Sequence, residues 1–303
     1  MYYSKLIKKS LKSKTLLQDI FGYILIKLGF ADKYLARQVA MYSSYDWLKR
    51  HFQKELDYPK TEIENQTIQE FREKQVWICW LQGIDNAPEI VQECYKSIQY
   101  WLKDWSIEVI TADNYSDYVE LPTYITEKWK DGIITNTHFS DILRLELLIR
   151  HGGLWLDATT FLTGPLPEYI TRTDFFVYRN GWMDMEMINM ASWLIYSKSA
   201  NNKILLETQK LLYAYWEKYN YLKNYFLLHM FFRMVTDKYE EEWNCVPYFN
   251  QMDCHFLMNE LVRKYDNCRV KATKQLSSVH KLSYKFSKRC MDVTADHLSD
   301  IYR

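Results

Sequence analysis

Short apolar runs alternate with helical patterns along the chain from residue 75 onward. Strands are predicted at Val76–Leu81, Ile107–Thr111 and Asp174–Arg179, where β-branched and aromatic residues are frequent. A helix is predicted at Glu89–Leu102, and the proline before it suits a first helical turn. Strand, helix and strand at this spacing form a βαβ unit, which favours a parallel sheet. The pattern therefore predicts an α/β fold.

The segment Asn136–Phe161 joins a helix, a glycine turn and a buried strand that ends in a carboxylate. The helix carries a broad apolar surface, and Gly152 and Gly153 stand where a left-handed C-cap would end it. The apolar run Leu154–Leu156 suits a central strand. Asp157 then lies at the carboxyl end of that strand, where open α/β sheets bind their ligands.

Asp141 and Arg144 lie three residues apart on one face of this helix, so both side chains can point into the same crevice as Asp157. Each residue also has an ordinary structural interpretation. The helical pair fits an exposed ion pair worth roughly 0.2–0.5 kcal/mol, and Asp157 fits a turn residue. Taken together, the three residues predict a ligand site.

The first part of the chain differs from the rest in charge. Residues 1–50 contain ten Lys and Arg against three Asp and Glu, whereas the whole chain has 39 against 38. Apolar residues recur at helical spacing among these lysines, and a second helix is predicted at Ala31–Leu56. The most apolar stretch, Phe21–Ile26, is far shorter than the roughly 20 residues that span a bilayer. Two interpretations remain, a helix on an anionic membrane surface or a helical cap on the following domain.

Composition narrows the class of protein. The six cysteines form no C-x-x-C pair and no cleavable secretory signal is recognisable, so reduced thiols in a cytoplasmic protein are expected, without a structural zinc site. The balanced charge argues against nucleic acid as a partner, and the absence of G-x-G-x-x-G argues against a Rossmann dinucleotide site. Aromatic residues make up 17% of the chain, which suits sugar stacking and core packing equally.

The sequence S-D-I-L-R followed by G-G-L-W-L-D resembles the sugar-nucleotide signature of capsular polysaccharide synthesis proteins. That family is related to glycosyltransferases of the GT-A fold that carry a D-x-D motif, including the family 32 sugar transferases and the clostridial glucosylating toxins. The resemblance implies a GT-A-like α/β fold, with a mostly parallel central sheet flanked by helices. The change of charge and pattern along the chain separates a basic helical region, residues 1–66, from a catalytic domain, residues 67–303. The polar stretch Tyr58–Gln69 fits a linker or a short connecting helix.

The resemblance also implies roles for the residues of the signature. Asp141 and Arg144 are expected to contact the nucleotide-sugar, and Asp157, the first aspartate of D-x-D, to contact ribose, sugar or metal. The position of the second aspartate is Thr159, so the motif reads D-A-T and departs from the family at a metal ligand. A divalent cation, Mn²⁺ or Mg²⁺, is still expected at Asp157 and Thr159. If the substitution weakens that site, nearby cationic side chains are expected to neutralise the diphosphate.

Further residues are implied on both sides of the central strand. The donor-binding residues are Trp80, Leu81, Gln82, Asp113, Trp155, His280, Lys281 and Lys285. The acceptor-side residues are Asn189, Asn224 and His229. The cationic residues belong to an element that resembles H-K-L-x-x-K and suit a diphosphate, although a solvated basic turn would look the same. Trp80 and His229 also fit plain core positions.

The predicted reaction is retaining transfer of a hexose from a UDP-sugar to a lipid-linked oligosaccharide in capsular or exopolysaccharide synthesis. The expected location is the cytoplasm, at the inner face of the cell membrane, with a peripheral contact to anionic lipid. One alternative is a toxin-like glycosyltransferase that modifies a host protein. Another is a non-catalytic subunit that binds sugar nucleotides, for which Thr159 in place of aspartate is the supporting observation.

Overall fold

The computed structural model of this chain describes residues 8, 10–57, 74–181, 186–285, 298, 300 and 301. The predicted linker Tyr58–Gln69 and the predicted domain boundary after residue 66 lie outside these described residues. Residues 1–7, at the start of the basic region, and Cys290 also lie outside them.

The helices and strands whose positions were predicted above begin and end within two residues of those positions. The α-helices are α1 (Leu16–Lys27), α2 (Lys33–Asp57), α3 (Glu89–Trp101), α4 (Tyr115–Tyr118), α5 (Thr123–Lys130), α6 (Asn136–His151), α7 (Glu168–Thr171), α8 (Lys203–Lys218), α9 (Leu227–Lys238), α10 (Glu240–Asn244), α11 (Phe256–Leu261) and α12 (Asn267–Leu276). The strands are β1 (Gln75–Cys79), β2 (Ser106–Ile110), β3 (Gly153–Asp157), β4 (Thr160–Leu162), β5 (Phe175–Arg179), β6 (Met190–Ser197) and β7 (Val279–Lys281).

Five of these strands form a central sheet in the order β2, β1, β3, β6, β5. Strand β1 pairs in parallel with both β2 and β3, whereas β6 runs antiparallel to β3 and to β5. Four strands therefore share one direction and β6 opposes them. The predicted βαβ unit is β1, α3 and β2, and the prediction of a mixed α/β fold with a mostly parallel sheet is confirmed.

The central sheet is buried on both faces because successive side chains of each strand enter different cores. Val76, Ile78, Leu154 and Leu156 belong to a core that includes residues of α3 and α11. Trp77 and Trp155 point into the other core, which includes residues of α6, α8 and α9. This arrangement explains why β1 and β3 read as continuous apolar runs in the sequence.

Helix α2 contributes to the second of these cores. Leu48, Phe52 and Leu56 follow one another at helical spacing and are fully buried in it. Tyr45 donates a hydrogen bond of 2.9 Å to the Asp237 carboxylate of α9. Among the described residues, no helix has the length and apolar character needed to cross a membrane.

The glycine turn brings α6 back beside β1 and allows β3 to enter the sheet. Gly152 and Gly153 have φ angles of +67° and +96°, which non-glycine residues rarely adopt. A Cβ atom on Gly153 would approach the Gln75 carbonyl oxygen to 2.7 Å. Glycine is therefore required here for close backbone packing as well as for conformation, and the turn places Asp157 at the end of β3.

Candidate active site

A cavity of about 610 Å³ opens at the carboxyl ends of β1 and β3. Its wall contains Cys79, Trp80, Leu81, Gln82, Asn86, Asn136, Thr137, Ser140, Arg144, Asp157, Ala158, Thr159, Tyr225, Lys281, Leu282, Ser283, Tyr284 and Lys285. Open α/β sheets bind ligands at this edge, and the volume lies within the usual range for small-molecule sites. The cavity is the candidate active site.

Arg144 connects the two predicted aspartates. Its Nη2 atom lies 3.2 Å from Asp141 Oδ1 and 3.4 Å from Asp157 Oδ1. Its Nη1 group donates a 2.7 Å hydrogen bond to the Ser192 carbonyl oxygen, and its guanidinium carbon lies 5.0 Å from the centroid of the Trp155 ring. The Arg144 side chain is only 5% exposed, so removing it would leave two carboxylates in the protein interior without their shared partner.

Asp157 is the carboxylate that a ligand can reach. Its side chain is 27% exposed and lines the cavity. Lys281 Nζ lies 3.1 Å from Asp157 Oδ2, and the Trp155 indole donates a 3.1 Å hydrogen bond to Oδ1. Burial alone would raise the pKa of Asp157, but Lys281 and then Arg144 outweigh it and hold that pKa below its usual value.

Asp141 occupies a more enclosed position than Asp157. Its side chain is 9% exposed and is not part of the cavity wall. Burial raises the pKa of this carboxyl group, although the Arg144 guanidinium opposes the shift. Asp141 thus lies behind Arg144, where it fixes the guanidinium in position. A direct contact between Asp141 and the donor sugar stays a prediction.

Lys281 reaches the site because β7 pairs antiparallel with β4, opposite Thr160. Its ammonium group contacts both Asp157 and the Thr159 hydroxyl. These are the two predicted metal ligands, so a divalent cation that bound them would have to displace the lysine ammonium. Among the described residues, no group of three or more His, Cys, Asp and Glu side chains forms a metal site. In this arrangement the side chains do not fit a bound metal, and the Mn²⁺ or Mg²⁺ ion stays a prediction.

Several predicted donor-binding residues line the cavity together. Trp80, Leu81 and Gln82 follow β1 on one side, and Lys281 and Lys285 lie on the other. The Trp80 ring packs edge-on against the Tyr284 ring, with centroids 5.4 Å apart, so these two segments enclose the same space. The structure therefore brings together most of the cationic and aromatic groups selected from the sequence.

Three predicted donor-binding residues are not part of the cavity wall. Asp113 is exposed in the turn after β2, and Trp155 is buried beneath Arg144. His280 is also buried, with Nε2 2.9 Å from the Thr163 hydroxyl oxygen. Burial, with a smaller effect of Lys274, lowers the pKa of His280 to about 3, so its ring is neutral near pH 7. The cationic role predicted for this segment is available to Lys281 and Lys285 instead.

The three predicted acceptor-side residues occupy different environments. Asn189 donates a 2.8 Å hydrogen bond to the Thr236 hydroxyl and is not part of the cavity wall. The Asn224 side-chain oxygen accepts a 3.0 Å hydrogen bond from the Phe226 amide, outside helix α9. Burial and then Arg144 lower the pKa of His229 to about 3, and its Nδ1 atom has no hydrogen-bond partner among the described residues.

Tyr225 is a site residue that the sequence reasoning did not select. It lines the cavity, and its side chain is 60% exposed. Burial raises the pKa of its phenol, and Asp141 and Asp157 raise it further, so the phenol lies within electrostatic range of the site. The His138 ring, with Nε2 3.2 Å from the Tyr225 carbonyl oxygen, helps to hold this loop. The only sequence signal was its position inside the segment N-Y-F-L-L-H.

Comparisons with known proteins give partial relatives among curated proteins and neighbours among solved structures. The chain is 33% identical over 102 residues to the O-glycosyltransferase braB of Annulohypoxylon truncatum and 29% identical over 108 residues to the O-glycosyltransferase PaGT of Phomopsis amygdali. These alignments cover 30% and 32% of this chain but only 24% and 26% of the two relatives, so the similarity spans about a quarter of their length. The solved PaToxG glycosyltransferase superposes with a TM-score of 0.40 and 14% identity, covering 86% of this chain and 96% of that one.

A family model extends the similarity over most of the chain. The model is described as capsular polysaccharide synthesis protein, and it matches residues 27–298. The matched residues include α2, the central sheet and the whole cavity wall, from Cys79 to Lys285. The chain therefore belongs to the capsular polysaccharide synthesis protein family.

Proposed function

We propose that this protein is a glycosyltransferase that moves a hexose from a UDP-sugar to a lipid-linked oligosaccharide in capsular or exopolysaccharide synthesis. One observation carries the proposal. In a member of this family, Arg144 and Lys281 flank the partly exposed carboxylate of Asp157 inside a cavity at the carboxyl edge of the sheet. The two partial relatives carry the name O-glycosyltransferase, which agrees with transfer to an oxygen atom.

The cations suit the leaving group of this reaction. Transfer breaks the bond between the anomeric carbon and a diphosphate oxygen, so negative charge accumulates on the departing UDP. Arg144, Lys281 and Lys285 line the cavity and can donate charge-assisted hydrogen bonds to phosphate oxygens. Asp157 can accept hydrogen bonds from ribose or sugar hydroxyls, because its carboxylate stays ionised and partly exposed.

The side chains of the cavity also favour retention of configuration. Among the described residues of the wall, Asp157 is the sole carboxylate, and its lowered pKa makes it a weak base. Burial raises the pKa of the Cys79 thiol to about 12, so that group stays protonated. In a front-face reaction the leaving phosphate can accept the proton of the acceptor hydroxyl, and no strong enzymatic base is needed.

The first test concerns the Arg144 guanidinium. We expect Arg144→Lys to lower kcat/KM for UDP release by at least about 100-fold, because lysine cannot hold both aspartates and the donor at once. The substrates are UDP-glucose, UDP-galactose and their N-acetyl forms, tested with purified protein. Arg150→Lys, on the same helix and paired with Glu146, is the matched control and is expected to keep its activity. Near wild-type turnover in Arg144→Lys, or no UDP release from any donor by the wild type, would contradict the proposal.

The second test uses pH. Lys281→Met removes the largest influence that holds the pKa of Asp157 down, so that pKa is expected to rise. Since the ionised carboxylate is the active form, activity should then be lost at a higher pH during acidification than in the wild type. The measurement is the acidic limb of the pH profile of kcat/KM. Lys285→Met, which removes another lysine of the cavity wall, is the control. Coinciding acidic limbs for Lys281→Met and the wild type would refute this assignment.

The third test concerns the divalent cation. The sequence predicts a divalent cation, but the Lys281 ammonium contacts both predicted metal ligands. We therefore propose the alternative that Arg144 and Lys281 neutralise the diphosphate without requiring a metal. UDP release is expected to stay within about threefold of its original rate after dialysis against EDTA. Loss of activity in EDTA followed by recovery on adding Mn²⁺ or Mg²⁺ would show instead that a metal replaces the ammonium during turnover.

We further propose that the protein works at the inner face of the cell membrane. Helix α1 and the following turn present apolar side chains to solvent, with Leu17 82% exposed and Phe30 74% exposed. Lys27 and Lys33 each lie three residues from Phe30 in the sequence, so this region combines apolar and basic groups. This combination suits the surface of an anionic membrane.

The fourth test measures sedimentation with phosphatidylcholine vesicles that contain or lack phosphatidylserine. The wild type is expected to sediment with the anionic vesicles, and the double variant Leu17→Glu, Phe30→Glu is expected to remain in solution. Leu276→Glu changes an exposed leucine on α12 and serves as the control. Equal sedimentation of the double variant and the wild type would rule out this surface as the membrane contact.

A further inference from the structure

A second groove, of about 530 Å³, lies between the N-terminal helices and the loop before α9. Helices α1 and α2 form one wall, and residues 222–226 form the other. Tyr225 lines both this groove and the active-site cavity, so the two spaces are adjacent at this residue. A ligand that extended from the groove past Tyr225 would enter the cavity that contains Asp157.

Specific contacts hold the two walls of the groove together. Lys223 is buried, and its Nζ group donates a 3.1 Å hydrogen bond to the Lys14 carbonyl oxygen while lying 5.0 Å from the Trp47 ring centroid. The Asn224 amide donates a 3.3 Å hydrogen bond to the Ser44 hydroxyl on α2. These contacts join α2 and the segment before α1 to residues 223 and 224, so they hold the two walls of the groove in position.

The groove is lined by both polar and apolar side chains. Ser13, Thr15, Gln18 and Asn224 are among its hydroxyl and amide groups. The Gln18 amide donates a 2.6 Å hydrogen bond to Ser43, while its side-chain oxygen is buried and has no partner among the described residues. An unpaired buried acceptor is costly, and a hydroxyl group bound in the groove could supply the missing donor.

The charges of the groove select among possible ligands. Asp19 and Arg37 contribute one charge of each sign, and the Lys223 ammonium is already bonded to a backbone carbonyl. A second diphosphate would meet the Asp19 carboxylate, and a lipid chain would leave the hydroxyl and amide groups of the groove without hydrogen-bond partners, so neither suits the groove. A neutral, hydroxyl-rich ligand does, since it can exchange hydrogen bonds with these side chains and pack against the Tyr225 and Phe226 rings.

We propose that this groove binds the outer sugars of a neutral oligosaccharide acceptor and directs its reacting hydroxyl past Tyr225 to the donor. This inference rests on the proposed glycosyltransferase function and adds the position of the acceptor. The N-terminal helices then take part in acceptor recognition. Arg37, which lies 5.8 Å from the Phe226 ring centroid, and Gln18 are the residues that recognise the acceptor from the helical side.

The test is direct binding, measured by saturation-transfer NMR with the full chain in the presence of UDP. The probes are neutral trisaccharides built from glucose, galactose and their N-acetyl forms. At least one probe is expected to bind the wild type, and the double variant Gln18→Ala, Arg37→Ala is expected to bind it roughly tenfold more weakly, since two hydrogen-bonding groups are lost. Arg50→Ala, also on α2 but paired with Asp46 away from the groove, is the matched control and is expected to bind normally.

Two results would overturn the inference. Either no probe binds the wild type, or a probe binds the wild type and the double variant equally well while both proteins show the same thermal unfolding. UDP release, measured on the same samples without acceptor, judges the proposed function separately. Normal UDP release with failed groove binding would refute the acceptor site alone, whereas trisaccharide binding without UDP release would refute the transferase activity and leave the groove as a carbohydrate-binding site.

Discussion

The shared contact of Arg144 with Asp141 and Asp157 is the interaction on which the site depends. Three largely enclosed charges are tolerated only because each has a partner of opposite sign, and Lys281 completes the balance from another strand. Helix α6, strand β3 and strand β7 must therefore all be in place before any of these charges is stabilised. The cluster has equal numbers of positive and negative groups, so its charges neutralise one another and stabilise the arrangement.

Differences in exposure divide the roles within this cluster. Asp141 is enclosed and carries a raised pKa, whereas Asp157 reaches the cavity and carries a lowered pKa. The same guanidinium contacts both carboxylates. The contrast in pKa therefore follows from the greater exposure of Asp157 and from the Lys281 ammonium, which contacts Asp157. One aspartate therefore fixes Arg144, and the other is available to a ligand. The D-A-T sequence belongs to this arrangement, because the Thr159 hydroxyl accepts from Lys281.

The sequence predicted local features well because they depend on periodicity. Buried parallel strands appear as apolar runs, and the spacing of Asp141 and Arg144 fixes their common helix face. Contacts between segments that are distant in the sequence could not be predicted in the same way. The proximity of Lys281 to Thr159, for example, depends on the pairing of β4 with β7. The orientation of His280 was also beyond what the sequence could predict. Adjacent strand residues point to opposite sides, so only one of His280 and Lys281 could face the cavity, and the sequence did not indicate which one.

Helix α2 shows how one face of a helix can change its role along its length. Leu48, Phe52 and Leu56 pack into the core, and the same helical face continues toward the N-terminus with Arg37 and Ser44, which line the groove. The periodicity is preserved while the side chains become polar: Ser44 is buried and accepts a hydrogen bond from Asn224, and Arg37 lies 5.8 Å from the Phe226 ring centroid. One face of this helix thus contributes both to the hydrophobic core and to the groove that we propose as the acceptor site.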